Sequence, residues 1–315
     1  MIKFIFKRII RSIPVIILVM VLSFFIIHLM PGDPIRTMLG DKAPQEQILS
    51  MQKELNLDKP IIQQFFIWTN QIFHFDLGTS IFWKEPIIDI ILKRIEPTMI
   101  LALIAIVISI LIGLPTGLLA AKKHGKFFDK FFSVLSLISI SLPAFWIAII
   151  LIQLLCVKIS IFPVSGYHRI ADVGLLTSLY ELLLPGIILG IMHSGQIARM
   201  TRTTMLDVLE QDYLRTARAK GVKEKQVINI HAFINALLPI VMIVGFSFAN
   251  LLGGAAVIEQ LFNIPGTGNL AITAILSRDY PLIQGTLLFV AVIFIIMNMI
   301  VDIICGLINP KTRCE

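Results

Sequence analysis

The residues of this chain best suited to do chemistry lie in one basic stretch, Tyr213-Leu-Arg-Thr-Ala-Arg-Ala-Lys-Gly221, followed by Asn235-Ala-Leu-Leu-Pro239. Leu206, Leu209, Tyr213 and Ala217 recur at helical spacing, which predicts a helix. Arg215, Arg218 and Lys220 crowd toward the end of that run, where cations complement the helix dipole. Ala219 stands between Arg218 and Lys220 in this run, and Gly221 is placed to take the left-handed conformation that ends a helix. Val222–Asn229 can then restart a second helix. Such a segment offers charge-assisted docking of a soluble partner rather than bond-making chemistry. An ordinary basic loop, placed only by the positive-inside rule, stays open on composition alone.

Patterns for catalysis are missing. Phe262-Asn-Ile-Pro-Gly-Thr-Gly268 is rich in glycine but lacks the Gly-x4-Gly-Lys-Ser/Thr order that cradles phosphate, and that order occurs nowhere in the chain. Gly245-Phe-Ser-Phe-Ala249 fails the Gly-x-Ser-x-Gly pattern at its last position, and there is no His-Glu-x-x-His. The six histidines show no paired metal-binding spacing; His28 reads as an interface histidine. Cys156, Cys305 and Cys314 form neither a disulfide framework nor a metal motif. The expectation is no enzyme, no cofactor and no metal.

The elements that must hold the basic stretch are membrane spans. Apolar residues make up 57% of the 315, charged residues only 15%, and mean hydropathy is +0.87; a soluble domain carries about 25% charge. Six segments contain no Asp, Glu, Lys or Arg: Ser12–Met30, Met99–Ala121, Phe131–Val157, Leu182–Ala198, Ala232–Ile258 and Tyr280–Val301. Each can cross a hydrocarbon core of about 30 Å as a helix, which predicts an all-α polytopic membrane protein with six transmembrane helices. With the N-terminus inside, the inner segments carry 17 Lys and Arg against 10 outside, and 7 of those ten lie in the single long segment 31–98. Long segments count little in this rule, so both termini are expected in the cytoplasm. The net charge of +7 reflects this asymmetry and gives no reason to expect nucleic acid. The first span has a basic flank but an apolar stretch too long for a signal peptide and no small-x-small site before Pro31-Gly-Asp-Pro34, so it reads as an uncleaved helix.

The expected organisation is 1–30, N-terminus and first span; 31–98, an extracytoplasmic helical insertion; 99–308, a five-helix core with the loop 199–231; and 309–315, a cytoplasmic tail. Within 31–98, Ile48, Met51 and Leu55, then Ile61, Phe65, Trp68 and Ile72, mark two short helices. Asp76-Leu-Gly-Thr-Ser80 follows as a polar turn. Pro14, Pro115, Pro143, Pro185 and Pro239 each permit a kink in a span. Several polar residues fall near the bilayer, where ionisable groups are costly and often functional. For His193, Ser194, Gln196 and Asn250, lining a translocation path and bonding between helices are both open. Asp302, with Asn298 one turn earlier, reads as structural, bonding a neighbouring helix or loop.

The order of these motifs resembles the permease subunits of ABC-type importers, specifically the family that imports dipeptides, oligopeptides, nickel chelates or glutathione. The resemblance rests on His28-Leu-Met-Pro-Gly-Asp-Pro34, Asp76-Leu-Gly-Thr-Ser80, Ser141-Leu-Pro-Ala-Phe-Trp146, the basic stretch ending at Gly221, and the Asn-Ala-Leu-x-Pro ending at Pro239. Glu259-Gln-Leu-Phe-Asn-Ile-Pro-Gly-Thr-Gly268, Arg278-Asp-Tyr-Pro281 and Asn298-Met-Ile-Val-Asp302 with Asn309-Pro-Lys311 complete it. The general importer motif begins Glu-Ala-Ala, whereas Arg215-Thr-Ala217 stands here, as in the peptide-type branch. The resemblance implies a bacterial inner-membrane location and a second, similar permease as partner. It also implies two cytoplasmic ATPase subunits in the assembly, with 213–221 as this chain's docking helix, and an extracytoplasmic solute-binding protein, with the lipid bilayer around all. A stand-alone secondary transporter, or a signalling or assembly protein, would be the alternatives from other classes.

Overall fold

The computed structural model describes residues 2–29, 35, 44–54 and 58–308. Pro31–Pro34 of the first expected motif, Leu55, Asn309-Pro310-Lys311, Cys314 and the tail 309–315 lie outside the described residues.

The described chain is helical. The first half contains α1 (Ile2–Leu29), α2 (Gln45–Glu54), α3 (Ile61–Phe73), α4 (Ile87–Lys122), α5 (Phe127–Ser141) and α6 (Ala144–Leu151), the last extended by a π-helical stretch to Lys158. The second half contains α7 (Leu175–Leu209), α8 (Asp212–Ala219), α9 (Phe233–Gly254), α10 (Ala256–Leu261), α11 (Thr267–Leu276) and α12 (Tyr280–Ile308).

Among the described residues, five helices are long and apolar enough to cross a membrane: α1, α4, α7, α9 with its lead-in from Glu224, and α12. The sixth expected span, Phe131–Val157, is a broken pair: α5 and α6 meet at 96°. Pro143 explains the corner. Its ring disfavours the helical region for the residue before it, and Leu142 is extended at φ −79°, ψ 134°. Pro14, Pro115, Pro185 and Pro239 lie inside unbroken helices, so only one of the five expected kinks becomes a corner.

Charge-free stretches understate the helices. α4 starts at Ile87 rather than Met99, and α7 runs from Leu175 to Leu209 rather than stopping at Ala198. At 36 residues, α4 is about 54 Å long, which exceeds any hydrocarbon core; its polar ends stay helical in the headgroups and water. Similarly, the second short helix expected at Val222–Asn229 is the start of the fifth span. The chain runs from Glu224 through a π-helical turn, Val227–Ala232, straight into α9, because no Pro or Gly interrupts it.

α4 and α7 form the most extensive pairing, and α9, α5 and α12 pack around them. Glycine allows the approach: a Cβ on Gly113 would stand 2.7 Å from the Ser194 carbonyl, and one on Gly190 2.7 Å from Ile108. Among the described residues the core falls into three clusters. Leu101, Ala105, Leu182, Ile188 and Leu251 fill the middle. Ala121, Met205, Leu214, Val227 and Ile240 close the end that carries α8. Ile87, Ile91, Leu270 and Leu282 close the opposite end.

Candidate functional site

α8 is an eight-residue helix set between two long ones. The helical run expected from Leu206 to Ala217 is divided: Leu206 and Leu209 end α7, Gln211 is extended at ψ 142°, and Tyr213 and Ala217 belong to α8. The expected apolar face does not carry across the break: Leu206 and Leu209 pack against one cluster, but Tyr213 is exposed and α8 reaches that cluster through its neighbour Leu214. Leu214, fully buried against Met205, Val227 and Ala236, is the anchor, and such burial is worth about 1.5–3 kcal/mol.

Gly221 ends α8 at φ +80°. The Val222 N–H donates to the Ala217 carbonyl at 3.2 Å and the Gly221 N–H to that of Arg218 at 3.0 Å, the paired bonds of a Schellman cap. Arg218 donates from both Nε and Nη2 to the Glu224 carboxylate, each at 3.1 Å, which ties the end of α8 to the start of the next rod. At the other side, Asn235 donates to the Tyr213 hydroxyl at 3.0 Å and to the His231 carbonyl at 2.7 Å. Thus Tyr213, Leu214, Arg218 and Gly221 hold α8 in place. Arg215, Ala219 and Lys220 are left exposed, with Arg215 only in a solvent-facing pair with Asp212 at 3.3 Å. Pro239 lies inside α9, half-buried, and shares in none of these bonds.

The remaining expected residues are dispersed. Ser194 bonds its own helix at the Ile191 carbonyl, 2.6 Å away, and Asn250 does the same at Phe246, 3.0 Å away. Gln196 is exposed, whereas the His193 Nδ1 is buried without a hydrogen bond. Asn298 bonds within α12, and Asp302 accepts from Arg8 of α1 at 2.9 Å.

The opposite end holds buried polar residues that sequence reasoning passed over. Glu259 is fully buried. Its Oε1 accepts from the Thr98 hydroxyl at 2.7 Å and its Oε2 from the Asn269 N–H at 2.8 Å. Burial pushes its carboxyl above the ordinary value; Thr98, the backbone N–H groups of Asn269 and Gly268, and the Arg94 charge act against that rise. Asp279, 1% exposed, caps α12 by accepting the Leu282 N–H at 3.2 Å. It also takes the Ser80 hydroxyl at 2.6 Å and the Phe82 N–H at 3.0 Å. The Gly166 N–H donates to Phe262 at 2.8 Å, and the Tyr167 hydroxyl to Glu96 at 2.6 Å. Segments 76–86, 162–170 and 259–280 are therefore one interlocked surface. An acid immediately beyond an apolar span was the available signal for Glu259.

Two family matches cover the chain: "Binding-protein-dependent transport system inner membrane component" over residues 113–313, and the corresponding N-terminal component over residues 1–102. A putative peptide transport system permease protein of Brucella abortus is 42% identical over 311 residues, 99% of each chain. A dipeptide transport system permease protein of Escherichia coli is 36% identical over 338 residues, again 99% of each. A probable peptide ABC transporter permease protein of Sinorhizobium fredii is 35% identical, covering 98% of this chain and 99% of its own.

Proposed function

The chain belongs to the family of inner membrane components of binding-protein-dependent transport systems, and on that premise we propose that it is one permease subunit of an ATP-driven importer of small peptides. The observation that carries the reading is α8: a short helix held to two long ones by Leu214, the Gly221 cap and the Arg218–Glu224 pair, with cations on its free face. A helix so fixed cannot move without moving α7 and α9, so a push from a docked ATPase reaches the spans. Two ATPase subunits would dock there, one on this chain and one on a second, similar permease.

The orientation puts both termini and α8 in the cytoplasm, as the Lys and Arg distribution supports. The opposite, interlocked surface, with the segment 31–98, then faces the binding protein. Peptide is the cargo named for the relatives; nickel chelates and glutathione are the competing cargoes.

The test is a mild-detergent pull-down of the tagged chain from its native membranes. Recovery of an ATPase and a second six-span permease supports the reading. A chain that purifies alone, monodisperse, and transports in vesicles without ATP overturns it.

A further inference from the structure

A cleft of about 320 Å³ opens between α4, α5 and α7 at the end of the bundle that carries α8. Gly117 and Leu137 contribute apolar surface, and Ser133, Thr203, Arg199 and Arg202 contribute polar groups. Arg202 is already committed. Its Nε donates to Asp129 Oδ1 at 2.5 Å and its Nη2 to Oδ2 at 3.0 Å. Asp129 also takes the Gly125 N–H at 2.9 Å. Arg199 and Thr203 make no hydrogen bond or ion pair among the described residues, so a guanidinium and a hydroxyl stand open at the cleft.

The rim explains what reaches them. Residues 122–130 carry Lys122, Lys123, Lys126 and Lys130, and their single acid is Asp129, which Arg202 engages. Interleaved with them are Phe127, Phe128 and Phe131, exposed at 73%, 46% and 50%; Lys123 lies over the Phe128 ring, 3.9 Å from its centroid. Water alone would not favour three exposed rings among four ammonium groups. A headgroup boundary accepts both, with the rings toward the acyl chains and the amines toward phosphate. From the cleft, the exposed Leu137 and Ile138 continue an apolar face along α5.

We infer that the cleft binds the phosphate of one anionic phospholipid, with Arg199 as its principal cation and the acyl chains lying along α5. Planar guanidinium donors suit phosphate oxygens, and the surrounding lysines raise the local concentration of anionic lipid. The lipid would bridge α5 and α7 beside the helix that carries α8. The inference does not depend on the cargo.

Native mass spectrometry of the delipidated full chain in detergent tests it, with phosphatidylglycerol, phosphatidylcholine and inorganic phosphate as probes. One phosphatidylglycerol should be retained in preference to phosphatidylcholine and should not be displaced by inorganic phosphate. Arg199→Gln should lower its occupancy about fivefold, as expected for one lost cation. Thr203→Glu, which places a carboxylate in the cleft, should do the same, whereas Lys158→Gln at the other end of the bundle should not. Both target side chains are exposed and unbonded, so the variants keep the fold. Equal retention of phosphatidylcholine, displacement by free phosphate, or wild-type occupancy in Arg199→Gln would each overturn the lipid site.

Discussion

The Thr98 hydroxyl lies 2.7 Å from Glu259 Oε1 and accepts the Thr267 N–H at 2.9 Å, so its single proton is directed at the carboxylate. α4, α10 and α11 meet at this one oxygen. Thr98→Val keeps the shape but strands both partners in a buried site, at a cost of about 1–3 kcal/mol. Thr98→Ser keeps the hydroxyl and should lose much less. The thermal midpoints of the full chain in detergent decide this; a valine variant that melts with wild type would remove the bond from any account of stability.

Glu259 also sets a pH dependence. Burial raises its carboxyl in the folded chain, so the native state holds the proton more tightly than the unfolded one. Its contribution is then greatest in acid and declines as pH rises above the ordinary value of 4.5. Glu259→Gln cannot titrate and serves as the reference. The midpoint of wild type relative to Glu259→Gln should fall on going from acid to neutral pH; a constant difference would contradict the raised value.

Asp279 joins the start of α12 to the turn at 80–82 through three hydrogen bonds. Asp279→Ala should release Ser80 and the Phe82 N–H together, and loss of the cap itself costs about 0.5–2 kcal/mol. Hydrogen exchange at Phe82 and Trp83 should accelerate while α4 and α7 stay protected. Unchanged exchange at 82 would mean that other contacts hold the turn.

Much of this architecture is legible in the sequence, and what escapes has physical causes. Spans are visible because a charge-free stretch is the condition for entering lipid; their ends are not, because a helix leaving the bilayer keeps its own backbone bonds and continues. Five prolines look alike in sequence, yet only Pro143 makes a corner. The others lie inside helices that stay continuous, because whether a proline turns a helix depends on what packs around it as well as on the residue itself. Glu259 and Asp279 lie inside recognisable motifs, but their partners Thr98 and Ser80 are 161 and 199 positions away. No local pattern links them. Gly221 is the opposite case: a cap is local, and its residue type is enough to place it.

The Arg218–Glu224 pair separates two roles for the basic segment. Arg218→Glu breaks the tie and reverses a charge; adding Glu224→Arg restores the tie with its polarity inverted. If Arg218 serves only to hold α8, the double variant should recover transport and ATPase association. If its charge also faces the ATPase, the double variant should recover the fold but remain weak in association, as should Arg215→Glu, whose exposed side chain contributes little to stability. Co-purification of the ATPase at low and high salt distinguishes the cases. Insensitivity of all three variants would mean that the cations serve membrane orientation alone.

Gly221 tests whether α8 transmits force. At φ +80°, proline with its fixed φ near −65° cannot fit, and its missing N–H would also abolish the bond to the Arg218 carbonyl. Alanine can adopt the turn at a cost of roughly 1 kcal/mol. Gly221→Pro should therefore insert normally, since the spans are untouched, yet lose uptake and the coupling of ATP hydrolysis to cargo. Gly221→Ala should retain both in part. The graded order glycine, alanine, proline follows from backbone geometry alone, because nothing lies within 4 Å of the position a Cβ would occupy. Normal uptake by the proline variant would mean that the cap at Gly221 is not part of the transmission between the ATPase and the spans.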